Sequence, residues 1–291
     1  MAQARIPVDL LNPGQVFACL GFLEAADILL GGARGSFDWH DPSDVEFVMS
    51  GNGRRNPFEE VLEFLAHATV YSIASADSHN STEKWGVPTL LLDEDEPFPF
   101  PDPTSPATLP ALLGDDRGRQ IMIGHWGDAT DRDNVKFWAG AGGYPGAALT
   151  RDTLNLIRQL PATAAGDPFS VSAQQSSSFR FDWRRDYVSM SIGFSPNDHD
   201  EMTMLGYPLV EVLAAIGVEN ARPARVRKLE YRYGVVGASS DSDLLSPVFI
   251  RAALGCAPLP FPQRTFRMRL DWPGQENQAR CITEVFEEPP L

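Results

Sequence analysis

Apolar side chains recur at helical spacing along residues 13–30, where Val16, Phe17, Leu20, Leu23, Ile28 and Leu29 follow a period of three to four residues. Asn12 is placed to cap this helix, Pro13 takes its first position, and Gly31 and Gly32 stop it. From Ser36 to Ser50 the pattern becomes extended, broken by a turn at Asp41, Pro42 and Ser43, and Gly51, Asn52 and Gly53 mark a loop. A second helix is predicted over Pro57–His67, with Phe58, Val61, Leu62 and Leu65 on one face. Beyond it the pattern predicts a strand at Ile121–Ile123, a helix over Arg151–Gln159, strands at Ser177–Trp183 and Val188–Phe194, a helix over Pro208–Gly217 and a strand at Arg227–Val236.

Two of these helices are alike. Val16-Phe-Ala-Cys-Leu-Gly21 aligns with Val212-Leu-Ala-Ala-Ile-Gly217, and each segment follows a proline closely and precedes a strand-forming stretch. The match is a weak internal duplication of about ten residues per copy. The class expected is α+β, antiparallel sheets with packed helices, and the duplication suggests two related halves. A boundary is expected where four acids, Asp93 to Glu96, lead into Pro97, Pro99, Pro101, Pro103, Pro106 and Pro110. That proline density excludes a helix or a central strand and reads as an extended surface loop. It divides the chain into an acidic first half, 1–118, and a second half, 119–291.

Composition narrows the class without naming a function. Of 291 residues, 43% are apolar and 22% charged, which excludes a disordered tail or a coiled coil. Cys19, Cys256 and Cys281 are odd in number and far apart, so they are expected to be reduced core residues of a cytoplasmic protein. The longest uncharged apolar stretch, Leu10–Leu23, is shorter than the roughly 20 residues a bilayer needs, and no basic segment leads into an apolar run near Met1. The chain is therefore expected to be mature, soluble and free of any membrane partner.

Charge is distributed unevenly. The formal net charge is −15, and residues 1–150 hold 9 basic against 22 acidic side chains. Residues 222–269 reverse this, with nine basic groups (Arg222, Arg225, Arg227, Lys228, Arg232, Arg251, Arg264, Arg267 and Arg269) against three acids. Only Lys84, Lys136 and Lys228 are lysines, and arginine suits bidentate phosphate contact. Solvated strand faces carry such charges equally well.

Three stretches could carry chemistry. In Ser78–Gly86, Lys84 beside Trp85 offers a stacking surface next to a cation, although a tryptophan tucked into the core explains it as simply. In His125–Gly146, glycines Gly140, Gly142, Gly143 and Gly146 allow close backbone approach to a ligand, but their spacing is not GxGxxG. Asp128, Asp131 and Asp133 in that stretch form half an EF-hand loop without its glycine and closing glutamate, so no metal is expected. In Ser176–Tyr187, alternation puts Phe179, Phe181 and Trp183 on one side of a strand and Arg180, Asp182 and Arg184 on the other. The charged row then faces phosphates or pairs across the surface. The five histidines show no zinc-ligand spacing, and Ser195 is not in a GxSxG elbow, so no cofactor or catalytic group is assigned.

The sequence Phe-Arg-Phe-Asp-Trp-Arg-Arg at 179–185, Gly-Phe-Ser-Pro-Asn at 193–197 and Tyr-Pro-Leu-Val-Glu-Val-Leu-Ala-Ala-Ile-Gly at 207–217 resembles small subunits encoded with type I-U (now I-G) CRISPR systems. The Asn12-Pro13-Gly14 helix start and Asn134-Val-Lys-Phe-Trp138 fit the same likeness. The resemblance implies a non-catalytic subunit of a Cascade-type surveillance complex in antiviral defence, assembled with other CRISPR effector subunits on a guide RNA that tests target DNA. It also implies RAMP-like halves, ferredoxin-like α+β units whose glycine-rich loops touch RNA. A subunit that wraps RNA should be basic, so the charge of −15 limits nucleic acid to one face. The expected contacts are Lys84, Trp85, Lys136, Arg180, Arg184, Arg185, Arg227, Lys228, Arg232, Arg264, Arg267 and Arg269, while the acidic half meets basic protein neighbours. Two competing expectations are an enzyme, a guide-processing ribonuclease or small-molecule hydrolase using His125, and an adaptor binding through the 97–110 segment.

Overall fold

A computed structural model describes residues 1–99, 105–127, 144–160, 166–186, 204–237, 243–271 and 281–289. Strand β1 (Ala2–Pro7) leads into helix α1 (Pro13–Leu30), then β2 (Ala33–Asp38), β3 (Glu46–Gly51), α2 (Pro57–His67) and β4 (Thr69–Ala74). Strands β5 (Thr89–Leu91), β6 (Ala111–Gly114) and β7 (Gln120–Ile123) follow, then α3 (Gly146–Ile157), β8 (Ala173–Gln174) and the single turn α4 (Trp183–Asp186). The chain continues through β9 (Leu205–Gly206), α5 (Pro208–Gly217), β10 (Ala224–Arg227), β11 (Glu230–Val236), α6 (Pro247–Leu254), β12 (Gln263–Asp271) and β13 (Cys281–Glu287). The class is α+β, and among the described residues pairing is antiparallel except between β4 and β5 and at one isolated bridge.

Helix ends are written in the sequence. Prolines take the first position of α1, α2, α5 and α6, where a missing N–H costs no hydrogen bond. Asn56 caps α2 by accepting from the Phe58 N–H. At the other end of α1, Gly31 closes the helix at φ 66°, a left-handed conformation that suits glycine. Asn12 has a different job from the one expected. Its side chain makes no cap bond and instead donates to Asp182 Oδ1 at 3.1 Å, tying the start of α1 to a segment 170 residues away.

Helix α1 has 18 residues and is long and apolar enough to cross a membrane by length and composition, which corrects the expectation of a shorter stretch. Glu24, which interrupts the uncharged stretch in the sequence, is itself 3% exposed and sits inside the core. Some 78% of the helix is buried in the protein, so its apolar surface is already covered.

What covers it is chiefly α5, and the contact is reciprocal. A Cβ added at Gly21 would lie 1.8 Å from the carbonyl oxygen of Leu213, and one at Gly217 would lie 2.0 Å from that of Phe17. In the internal alignment Gly21 matches Gly217 and Phe17 matches Leu213, so each glycine meets the partner's equivalent residue across a local two-fold. Glycine at both points lets the two backbones touch. Asn220, the counterpart of Glu24 at the same offset, donates to Glu24 Oε2 at 3.3 Å.

The repeat extends to element order: β1-α1-β2-β3-α2-β4 and β9-α5-β10-β11-α6-β12 both run strand, helix, hairpin, helix, strand. Sheet pairing then departs from ferredoxin-like halves. The first sheet runs β1-β3-β2, and β4, which would supply the fourth strand, instead joins β5, β6 and β7 in a second sheet of order β5-β4-β6-β7. The third runs β10-β11-β12-β13. Residue 118, where the first half was expected to end, lies in the β6–β7 turn, where Arg119 and Asp115 hydrogen bond at 2.7 Å. One core draws on both sides of that point, with Phe17 edge-on to Phe181 and to Tyr233 at 6.1 and 5.8 Å. Residues 177–182, expected as a strand, form none: Phe179, Phe181 and Asp182 are all buried and Arg180 has φ 65°. Trp183 begins α4.

Candidate nucleic-acid interface

The basic stripe folds into the sheet β10–β13. Across its outer face one register row reads Arg227, Glu230, Arg269, Glu284, each on a successive strand and alternating in sign. Glu230 is 3% exposed and accepts from Arg227 and from Arg267 at 2.9 Å, with Arg269 Nε at 3.8 Å. The Arg227 hydrogen bond, and then that of Arg267, hold the Glu230 carboxyl below its ordinary value against the opposing effect of burial. In the next row Arg232 lies directly opposite Arg267, a like-charge pair that would repel. Glu288 bridges them, accepting from Arg232 at 3.1 Å and from Arg267 at 2.6 Å. Desolvation alone would raise Glu288, but these two arginines outweigh it and hold its carboxyl down. Arg269 also binds Glu284 at 2.7 Å, and Arg264 grips Glu287 with two bonds of 2.7 Å.

The stripe is therefore internally neutralised. Its partners Glu284, Glu287 and Glu288 come from the end of the chain, outside the window in which the basic excess was counted. Arg251 is turned elsewhere, to the buried Glu24 at 2.5 Å. The edge strand β10 and its turn face outward, where Arg225, Arg227 and Lys228 are exposed while Arg227 keeps its bond to Glu230. A hollow of about 570 Å³ beside this turn is lined by cations and acids alike, among them Lys228, Arg269, Asp271 and Glu284.

The other expected contacts are dispersed. Lys84 lies over the Trp85 ring at 5.2 Å, and Trp85 is half-buried against the core, so the pair is satisfied within itself. Its loop is pinned by hydroxyls: Ser72 Oγ lies 2.6 Å from Thr82 Oγ1 and 3.0 Å from Thr89 Oγ1. Arg184 clasps Asp182 with both Nε and Nη2, donates to the Phe169 carbonyl at 2.8 Å and stacks 3.4 Å above the Tyr207 ring. These partners commit it locally, and it does not form an outward row with Arg180. Lys136, Gly140, Gly142 and Gly143, and the side chain of Arg185, lie outside the described residues. Gly146 is described, and its role is packing: a Cβ there would sit 2.5 Å from the Trp126 indole.

His125 is 3% exposed, against Trp126 at 5.0 Å and Phe181 at 6.5 Å between ring centres. Burial first, and the nearby Arg222 charge second, push its pKa well below the usual histidine value, so the ring is neutral and enclosed. The backbone here matters more: Glu219 Oε2 accepts the N–H groups of Gly124 and His125 at 2.8 and 2.9 Å. Glu219 and the fully buried Glu211, which accepts from the Phe181 and Asp182 N–H groups, were not anticipated. Glutamates embedded in otherwise apolar helix sequence, as at Glu24 and Glu211, were the signal available.

Among the described residues no group of three or more metal-ligating side chains converges. No family model matches the chain, and no curated protein or solved structure is similar to it.

Proposed function

We propose that this chain is a non-catalytic, cytoplasmic subunit of a type I-U/I-G CRISPR surveillance complex, joining other effector subunits on a guide RNA. The observation that carries the reading is the reciprocal crossing of α1 and α5, Gly21 on Leu213 and Gly217 on Phe17, within a twice-repeated strand-helix-hairpin-helix-strand order. The resemblance at 179–185, 193–197 and 207–217 implies duplicated ferredoxin-like units, and the repeated element order supports that reading in its helices and hairpins while β4 pairs elsewhere. The net charge of −15 and the paired arginines of β10–β13 favour an assembly role dominated by protein contacts. Nucleic acid is met through a small basic edge around Arg225, Arg227 and Lys228. A contact of two or three phosphates of a single strand gives a salt slope of only about −1.5 to −2, far shallower than that of a subunit wrapping RNA.

The test is to co-express the chain with the genes beside its own, purify on a tag it carries, and compare the 260/280 nm absorbance ratio at low and high salt. A multi-protein particle with bound RNA supports the reading. A chain that emerges alone and free of nucleic acid overturns it. Lys228→Ala with Arg225→Ala is the variant pair that reads the RNA contact, whereas Arg227→Ala and Arg184→Ala would report on folding because each pairs with a buried acid, Glu230 or Asp182.

A further inference from the structure

Strand β5 ends the second sheet, bonded to β4 on one side and to no other strand among the described residues. In this parallel pair the Pro88 carbonyl accepts from Ser72 N–H at 2.9 Å, and Leu92 N–H donates to the Ala74 carbonyl at 3.0 Å. The alternation of a parallel ladder then directs the N–H and C=O groups of Thr89 and Leu91 away from β4, to the open edge. Leu90 and Leu91 point to opposite faces of the strand, and both are exposed, at 41% and 58%. β5 is a short edge of three residues preceded by Pro88, yet the strand itself, Thr-Leu-Leu, carries neither charge nor proline.

The charge begins just after it. Asp93, Glu94, Asp95 and Glu96 are all exposed, and Asp77 follows the parallel end of β4 at the same end of the sheet. An incoming strand would therefore find main-chain partners and two leucines beside a dense negative field.

We infer that the β5 edge is a docking site for an extended, lysine- or arginine-bearing apolar segment of a neighbouring protein, added to the sheet as a further strand. This deepens the subunit reading by naming where a basic protein partner attaches. Main-chain bonds to Thr89 and Leu91 supply the pairing, the leucines supply apolar contact, and the Asp93–Glu96 run selects positive charge and disfavours nucleic acid.

The test uses the full chain and a synthetic peptide of alternating lysine and valine, labelled for fluorescence anisotropy. Leu91→Pro removes the outward N–H without breaking a bond to β4, so the fold should tolerate it. Circular dichroism and the thermal midpoint check that it does. The expected result is peptide binding to the wild-type chain, weakened about tenfold by Leu91→Pro, the size of a lost main-chain hydrogen bond with its neighbours. A similar loss is expected when Asp93, Glu94, Asp95 and Glu96 are replaced by their amides, or when the peptide backbone is N-methylated. Failure of the peptide to bind, or equal binding by Leu91→Pro, overturns the inference. So does a concentration-dependent dimer of the chain that Leu91→Pro abolishes, because the occupant would then be a second copy. These readouts need no assembled complex, so a chain that binds the peptide yet copurifies with no neighbours would sink the subunit reading and leave the docking edge standing.

Discussion

At the scale of single residues, the structure depends on a few positions where no other side chain fits. Gly21 and Gly217 each face a carbonyl oxygen of the opposing helix, which is main chain and cannot swing aside. Gly21→Ala is expected to force α1 and α5 apart and cost about 3 kcal/mol or more. Gly31→Ala, where nothing lies within 4 Å and only the left-handed φ is strained, should cost about 1–2 kcal/mol. Urea denaturation of the two variants measures the difference, and equal stability would refute the close crossing. Glu219 gives a second prediction. Burial raises its pKa above the ordinary 4.5 despite the Gly124 and His125 N–H bonds that oppose it. A carboxyl raised in the folded state contributes stability at acid pH that is lost as pH rises through its folded value. Glu219→Gln keeps an oxygen for both N–H groups and has no charge to desolvate. It should therefore match the wild type near pH 4 and equal or exceed it at pH 7, as read from denaturation midpoints at the two pH values. A variant much less stable at pH 7 would show that the charge itself holds the Gly124–His125 turn.

At the scale of elements, what could be read from the chain depended on whether the cause was local. Helices α1, α2 and α5 were legible because proline, asparagine and glycine mark their ends and their apolar residues recur within a turn. The segment 177–182 misled because alternating aromatics suggest a strand, whereas Arg180 takes a left-handed turn, Asp182 is buried along with Phe179 and Phe181, and the chain is held there by Glu211 of α5. The pairing of the basic stripe was hidden for the same reason: besides Glu230, its neutralising acids arrive from β13 and its C-terminal extension. Nothing within residues 222–269 announces Glu284, Glu287 or Glu288. A prediction follows for this sheet. Glu230→Gln removes the internal competitor of Arg227, Arg267 and Arg269, so it should tighten binding of single-stranded RNA and steepen its salt dependence, at some cost in stability. Anisotropy titrations at two salt concentrations measure this, and unchanged RNA affinity would show that the row faces protein only.

At the scale of the whole molecule, the duplication visible in about ten residues per copy became a two-fold helix pair at the centre of one shared core. The symmetry stops at the sheets, since β4 leaves the first to build a second with β5, β6 and β7. That departure creates an acidic, leucine-bearing edge on one side of the protein, while the β10 turn offers a small basic edge in the second half. On the proposed reading the acidic edge meets proteins and the basic one phosphates, which suits a place at a junction of an assembly. The measurement that tests this most directly is native mass spectrometry of the particle recovered when the chain is co-expressed with its genetic neighbours. The account predicts a mass that includes this chain, other subunits and an RNA, with the RNA-bound species persisting at moderate salt. A spectrum containing the free 32.0 kDa chain alone would contradict it.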